Sequence, residues 1–80
     1  MEIRIGSIVR SIAGRDKGML FLVVDIKDGY IYVSDGKLRR VESPKKKKIK
    51  HLQGTNFITE EDFSENFRVR SILTEYRKTV

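Results

Sequence analysis

A charged turn bracketed by two glycines, residues 14–18, separates two strand-like stretches near the N-terminus. Glycine adopts positive φ without a Cβ clash, so the pair allows the chain to reverse sharply. The turn holds Arg15, Asp16 and Lys17, and every residue from 19 to 24 is apolar. A strand that is apolar at successive positions is usually buried on both faces. The pattern therefore predicts a hairpin with a charged tip and a second strand inside the core.

Two Asp-Gly pairs, at residues 28–29 and 35–36, mark further reversals of the chain. Asp-Gly between apolar runs is a strong hairpin signal because both residues tolerate positive φ. The pairs predict a meander of short antiparallel strands that ends before Pro44, since proline lacks the N–H that a ladder needs. The predicted strands are residues 7–12, 19–26, 30–34 and 37–42, with further short candidates at 3–5 and at 49–52, where a last strand would close a barrel.

The C-terminal part is predicted to be helical after a linker at residues 53–58. Thr59 is placed to cap a helix, and the acidic residues 60–62 suit the positive end of the helix dipole. A break in the apolar pattern near residues 64–67 predicts two short helices. The apolar stripe at helical spacing consists of Val69, Ile72, Leu73, Tyr76 and Val80. This stripe is expected to cover the outer face of the apolar strand in the first hairpin.

Together these patterns predict one mainly β domain. Residues 1–53 would form the β-strands, which a last short strand would close into a barrel, and residues 54–80 would form one or two C-terminal α-helices packed on it. The chain has 80 residues and no cysteine, so neither a disulfide nor a thiolate metal site is expected. No apolar run approaches the roughly 20 residues of a membrane span, and no N-terminal signal segment is expected. We expect a cytoplasmic protein without a membrane partner.

The net charge of +6 is unevenly distributed along the chain. Residues 1–53 hold 13 Lys and Arg against 6 Asp and Glu, whereas residues 54–80 hold 4 against 5. A basic part joined to a nearly neutral part indicates a polyanion-binding surface plus an element that packs or faces solvent.

The residues give little support for catalysis. The sequence offers neither a cysteine nucleophile nor a plausible Ser-His-Asp constellation, and it has no phosphate-binding Gly-x-x-x-x-Gly-Lys loop. His51 is the only histidine, so an ordinary zinc site is not expected. A domain of this size has little room for a sequestered ligand pocket. We therefore expect no enzyme activity, no cofactor and no small-molecule substrate.

The first hairpin resembles a KOW motif, a strand–turn–strand unit of ribosomal proteins and NusG-type elongation factors. The matching positions are Gly6, Val9, Gly14, Lys17, Gly18, Val23 and Val24. A second stretch resembles a KOW-type large-subunit ribosomal protein of eukaryotes and archaea, through Val33, Ser34, Asp35, Gly36, Arg39, Arg40, Val41, Pro44, Lys45 and Leu52. The whole chain is also similar to small bacterial KOW-domain RNA-binding proteins. This resemblance implies an SH3-like β-barrel of about five strands that binds structured RNA, ribosomal RNA above all.

Ten cations are the candidate RNA contacts: Arg15, Lys17, Lys37, Arg39, Arg40, Lys45, Lys46, Lys47, Lys48 and Lys50. Those on the glycine-bracketed turn would contact phosphate, or else form an ordinary solvated tip. The lysines at 45–48 repel one another, which predicts an extended, mobile loop that either orders on RNA or stays solvated. Such a run is also typical of nuclear-targeting or heparin-binding patches. Strand alternation would place Arg39 and Arg40 on opposite faces, with Arg40 the more exposed if Val41 is core.

Tyr30 and Tyr32 share one face of a predicted strand. That face would stack bases, as aromatic residues do on RNA-binding sheets, or would pack under the helix. His51 is expected to be a hydrogen-bonded strand-end residue rather than an RNA contact.

The sequence thus predicts a non-enzymatic module that binds ribosomal RNA or another structured RNA, as a ribosomal or ribosome-associated protein with possible ribosomal-protein partners. The alternative is an SH3-like protein-interaction module that binds an acidic partner in the transcription or translation machinery. Fold alone does not decide between them.

Overall fold

The computed structural model describes residues 2–79, which form five β-strands, one short 3₁₀ turn and one α-helix. The strands are β1 (Ser7–Ser11), β2 (Leu20–Lys27), β3 (Tyr30–Ser34), β4 (Lys45–Lys48) and β5 (Leu52–Ile58), and the helix α1 spans Asn66–Thr79. No helix within residues 2–79 combines the length and the apolar character needed to cross a membrane.

All strand pairs are antiparallel, in the open order β4-β3-β2-β1-β5. The two edge strands are nevertheless joined by only three residues, the 3₁₀ turn Ile49–His51. Such a connection reaches about 14 Å, whereas the edges of a flat five-stranded sheet lie about 19 Å apart. The sheet is therefore strongly curled, although its hydrogen-bond ladder does not close.

Strand β2 is buried on both faces, as its apolar run predicts. Leu20 and Leu22 pack on one side with Ile8 of β1, while Phe21 and Val23 pack on the other side with the inner residues of β1 and β3. All four of these β2 residues are at most 5% exposed. Successive strand residues point to opposite faces, so one strand contributes to two separate hydrophobic clusters.

Helix α1 covers the outer of these clusters. Val69, Ile72 and Leu73 pack against Ile8, Leu20 and Leu22, and Tyr76 lies partly buried beside them. The apolar stripe of the sequence is therefore the packing face of the helix. Val80, its last predicted member, lies outside the described residues.

Two predicted details of the C-terminal part are wrong. Residues 53–58 are not a linker but belong to β5, which pairs with β1, so the predicted boundary at residue 53 falls inside a strand. The helix does not begin at Thr59, whose N–H instead donates to Gly6 O at 2.9 Å and extends the β1–β5 pairing. A single helix begins at Asn66, in agreement with the expected one or two helices, and the break in the apolar pattern near residues 64–67 marks its start and not a division between two helices.

The predicted strand at 37–42 is also wrong. The Asp35 carboxylate accepts hydrogen bonds from the N–H groups of Lys37 and Arg39, both at 2.9 Å. The Ser34 hydroxyl donates to Arg39 O at 2.6 Å. These side-chain bonds compete with a ladder and fold the segment into a compact loop. The strand next to β3 is formed instead by the lysines of β4, which were predicted to be a mobile loop.

Of the two remaining short candidates, residues 3–5 and residues 49–51 form no strand. Residues 3–5 run as an irregular segment, in which Arg4 N–H donates to the Ser7 hydroxyl at 2.9 Å. Residues 49–51 form the 3₁₀ turn, and only Leu52 of that candidate lies in a strand.

Candidate functional site

The glycine-bracketed turn folds through positive φ at both ends, as predicted: Gly14 has φ +85° and Gly18 has φ +93°. Gly18 N–H donates to Ser11 O at 2.8 Å, and the Arg10 guanidinium donates to Gly18 O at the same distance. These bonds fix the turn on the end of β1. Arg15 and Lys17 are exposed on its outer side, whereas Asp16 is only 8% exposed and points inward.

Asp16 forms a buried ion pair with Lys47 of β4. Lys47 Nζ lies 2.7 Å from Asp16 Oδ1, and the two side chains are 6% and 10% exposed. The same ammonium donates to the Ser11 hydroxyl at 3.0 Å, and Ser11 in turn donates to Asp16 Oδ1 at 2.7 Å. Because β1 and β4 are not neighbours in the sheet, this network connects the turn to a distant strand across the curl. Asp16 Oδ2 is buried and has no hydrogen-bond partner within residues 2–79.

The Lys47–Asp16 pair keeps the carboxylate ionised. Burial acts to raise the pKa of Asp16, but the hydrogen bonds from Lys47 and Ser11 and the charges of Lys47 and Lys45 outweigh it and hold the pKa below its ordinary value. The inward acid of the turn is thus balanced internally, and its neighbours Arg15 and Lys17 remain as the outward charges.

The four lysines of β4 divide by strand alternation. Lys47 faces the interior, and its neighbour Lys45 on the same side is half-buried at a groove. Lys46 and Lys48 are exposed on the opposite side. Lys47 was predicted to contact RNA, but it is 7% exposed and engaged with Asp16. Lys47 is therefore a structural residue and not a surface contact. A lysine is rarely buried without a carboxylate partner, and Asp16 is that partner here.

Three of the predicted cations lie together around one groove of about 370 Å³. Arg15 of the turn, Arg39 of the 35–43 loop and Lys45 of β4 contribute its charges. Met19 and Leu38 contribute apolar surface above the buried Phe21, and Asp16 is its one acidic lining residue. We call this feature the cationic groove. Its positive groups come from three separate segments of the chain.

A second groove, of about 350 Å³, lies between the turn and β4. We call it the β4 groove. Its lining residues are Ala13, Gly14, Tyr30, Lys45, Lys46, Lys47, Lys48 and His51. Lys45 borders both grooves, so they form one continuous cationic surface. Exposed Lys50 lies in the adjoining 3₁₀ turn, and His51 O accepts Ile12 N–H at 2.9 Å.

Arg40 lies away from this surface, whereas Lys37 borders a groove that shares Met19 and Leu38 with the cationic groove. Arg40 pairs with Glu42 at 3.2 Å and borders a mixed-charge surface near the start of α1, which also holds Glu65. Lys37 lies near Arg70 and Arg77 of the helix. Arg39 and Arg40 border different surfaces, but they do so within a loop and not by strand alternation, and it is Arg39 that joins the cationic groove.

Helix α1 holds the loop that carries Arg39. The Asn66 side chain accepts Val41 N–H at 2.8 Å and donates to Glu42 at 2.6 Å. Arg70 donates to Gly36 O at 2.8 Å. The bond from Asn66 holds the pKa of the Glu42 carboxyl below its ordinary value. Helix α1 thus positions Arg39, although Arg39 belongs to the loop and not to the helix.

Sequence reasoning missed the positioning residues Ser11, Asn66 and Arg70. Each acts through a hydrogen bond between segments far apart in the chain, and no local pattern signals such a bond. The sequence did contain a signal for the inward direction of Lys47. In a strand with one packed face, alternate residues of a lysine run point inward. This signal required β4 to be identified as a strand.

Compared with protein-family models and with curated proteins, the chain finds no match.

Proposed function

We propose that the protein is a non-enzymatic, cytoplasmic RNA-binding module that binds ribosomal RNA or another structured RNA. In this proposal it acts as a ribosomal or ribosome-associated protein, and ribosomal proteins are further partners. The cationic groove is the principal phosphate-binding site, with Lys17, Lys46, Lys48 and Lys50 around it.

The convergence of Arg15, Arg39 and Lys45 carries this proposal. Phosphate contacts from Arg and Lys supply most of the affinity in protein–nucleic acid complexes. Three cations that come from three segments and meet at one concave surface can contact several phosphates of a folded RNA backbone. A linear run of charges is less suited to that shape. The neutralisation of Asp16 by Lys47 supports the same conclusion, since the nearest acid does not oppose an incoming phosphate.

We also propose that the curled sheet is an SH3-like barrel of the KOW type. The support is the order of the strands, the three-residue 3₁₀ turn between the edge strands, and the positive φ at both glycines of the first turn. The KOW resemblance places RNA contacts on this same turn.

The test is binding of purified ribosomal RNA as salt is raised, measured by fluorescence anisotropy. Each phosphate contact contributes roughly 0.7–0.9 to the slope of log affinity against log salt. The variant R15Q/R39Q/K45Q should therefore bind more weakly and with a slope shallower by about 2–3. A matched control, R4Q/R68Q/K78Q, removes the same charge from exposed sites elsewhere and should change the slope much less. Equal losses in the two variants would contradict the cationic groove, and no RNA binding at low salt would contradict the function.

A protein-interaction module for an acidic partner is the second candidate. Leu38 is 79% exposed between Lys37 and Arg39, and an exposed apolar side chain between cations is suited to a protein surface. Co-sedimentation with ribosomes separates the two candidates. Variant L38S removes no charge, so it should leave the salt slope of RNA binding unchanged if RNA is the partner, and it should abolish recovery of a protein complex if an acidic protein is.

A further inference from the structure

We propose that the outer face of β3 and β4 is a stacking surface for unpaired nucleobases, formed by Tyr30, Tyr32, Lys46 and Lys48. The inference rests on the proposed RNA-binding function and narrows it, because it names a single-stranded segment as the form of RNA that this face binds. The cationic groove contacts phosphates, whereas this face contacts bases.

The register of the two strands brings these four residues together. Tyr30 pairs with Lys48, and Tyr32 pairs with Lys46. Residues directly opposite each other in an antiparallel pair share a face. Ile31, 3% exposed between the two tyrosines, points to the interior. The outer face therefore alternates aromatic rings and ammonium groups at close range.

The helix leaves this face uncovered. Its packing residues contact β1 and the Leu20 and Leu22 side of β2, and neither Tyr30 nor Tyr32 belongs to that cluster. Both tyrosines are only half-buried. Of the two uses that the sequence left open for these rings, packing under the helix is thus excluded by the structure.

Lys46 shows how a nucleotide would bind. Its Nζ lies 4.2 Å from the centre of the Tyr30 ring, a cation–π contact that is weak at an exposed site. A base can replace the ammonium over the ring, and the ammonium can then pair with the phosphate of the same nucleotide. Aromatic rings stack on every base type, so this mode is tolerant of sequence.

The neighbouring charges favour the β4 side of the face. On the β2 side, Lys27 lies opposite Tyr30 and Asp25 lies opposite Tyr32. Asp25 is the acid in register with the face, and its Oδ1 accepts its neighbour's N–H, that of Ile26, at 2.9 Å. On the β4 side, the β4 groove connects Tyr30 to His51 and to the turn. A strand stacked on the tyrosines therefore extends toward the cationic groove.

The experiment compares three probes: a single-stranded RNA of about twelve nucleotides, its duplex, and a base-free ribose-phosphate oligomer of the same length. Anisotropy gives affinity, and tyrosine emission reports stacking, since the chain has 3 Tyr and no Trp. All measurements use a Tyr76→Phe background, in which emission comes from Tyr30 and Tyr32. Single-stranded RNA should quench this emission and bind about tenfold or more tightly than the base-free oligomer.

Matched variants test the rings directly. Y30L/Y32L should remove the preference for single-stranded RNA and leave binding of the base-free oligomer unchanged, while Y30F/Y32F should retain the preference. Equal binding of single-stranded RNA by the Leu variant and its parent would overturn the stacking surface, even where R15Q/R39Q/K45Q still loses affinity. If no probe and no structured RNA binds, the proposed function itself is overturned, so the two failures are distinguishable.

Discussion

At the scale of single residues, one buried ion pair controls the geometry of the candidate site. Asp16 and Lys47 come from the first turn and from an edge strand, and their contact draws Arg15 toward Lys45. A buried ion pair is not in itself a large source of stability, because desolvation offsets the attraction. Its value here is positional, since it fixes the turn against β4.

Removing one partner of this ion pair should destabilise the domain more than replacing both partners with apolar residues. We expect Asp16→Asn to destabilise the domain by about 3–5 kcal/mol, because it leaves the Lys47 ammonium buried without a carboxylate. The double variant D16L/K47M, which replaces both charges by apolar groups, should be close to the wild type in stability. Urea denaturation of both variants measures this difference. A double variant as unstable as the single one would show that the ion pair is required for folding.

The same pair predicts a pH dependence of stability. The folded-state pKa of Asp16 lies below its ordinary value of 3.8, so between these two pKa values the unfolded state binds more protons. The free energy of unfolding should therefore fall as pH drops below about 4. The fall should be smaller in D16L/K47M, which lacks this carboxyl. Urea denaturation between about pH 2 and 6, about two pH units to either side of 4, tests this prediction. Parallel curves of unfolding free energy against pH for the two proteins would contradict it.

At the scale of elements, the loop between β3 and β4 depends on the helix. Gly36 has φ +76°, and a Cβ there would lie 2.5 Å from Asn66 O and 2.9 Å from Arg70 Cγ. No side chain fits this approach unless the loop moves away from α1. The glycine of the second Asp-Gly pair thus permits close packing on the helix, not only a turn.

Gly36→Ala should therefore be more destabilising than Gly29→Ala. Gly29 has a similar φ of +80° but open space around it, so its substitution costs only backbone strain, about 1–2 kcal/mol. At Gly36 the overlap with the helix should add about 1–3 kcal/mol. Thermal or urea denaturation of the two variants gives the difference directly. Equal losses of stability in the two variants would show that the loop moves away from α1 at no cost in free energy.

At the scale of the whole molecule, the helix and the curled sheet share one outer cluster and should unfold together. Leu73 is 1% exposed against Ile8, Leu20 and Leu22. Leu73→Ala should lower the free energy of unfolding of the entire domain by roughly 2–5 kcal/mol. Exposed Ser71→Ala, on the same helix, should stay within about 0.5 kcal/mol of the wild type.

Two probes would test this cooperativity. In Leu73→Ala on a Tyr76→Phe background, where emission comes from Tyr30 and Tyr32 of the sheet, helical circular dichroism and tyrosine emission should give one coincident transition, as expected of a two-state domain. Loss of the helical signal before the emission change would show that the sheet folds without its cover.

Local sequence patterns were sufficient for the elements whose chemistry is local. The apolar run of β2 determined its burial on both faces, the Asp28-Gly29 pair determined a hairpin with positive φ at both residues, and the helical stripe determined the packing face of α1. Each depends on steric rules or on periodicity within a few residues. The cationic candidates were also visible as residue types.

The arrangement of these cationic residues was decided by tertiary structure. Lys47 was predicted on the surface and lies inside, because Asp16, 31 residues away, supplies the charge that makes its burial possible. Arg39 and Lys45 meet Arg15 only because the sheet curls and the helix holds the loop. The sequence by itself therefore determined the first three strands, the packing face of the helix and which charges are available. Contacts across the curl decided which charges face outward together, since they join segments that no local pattern connects.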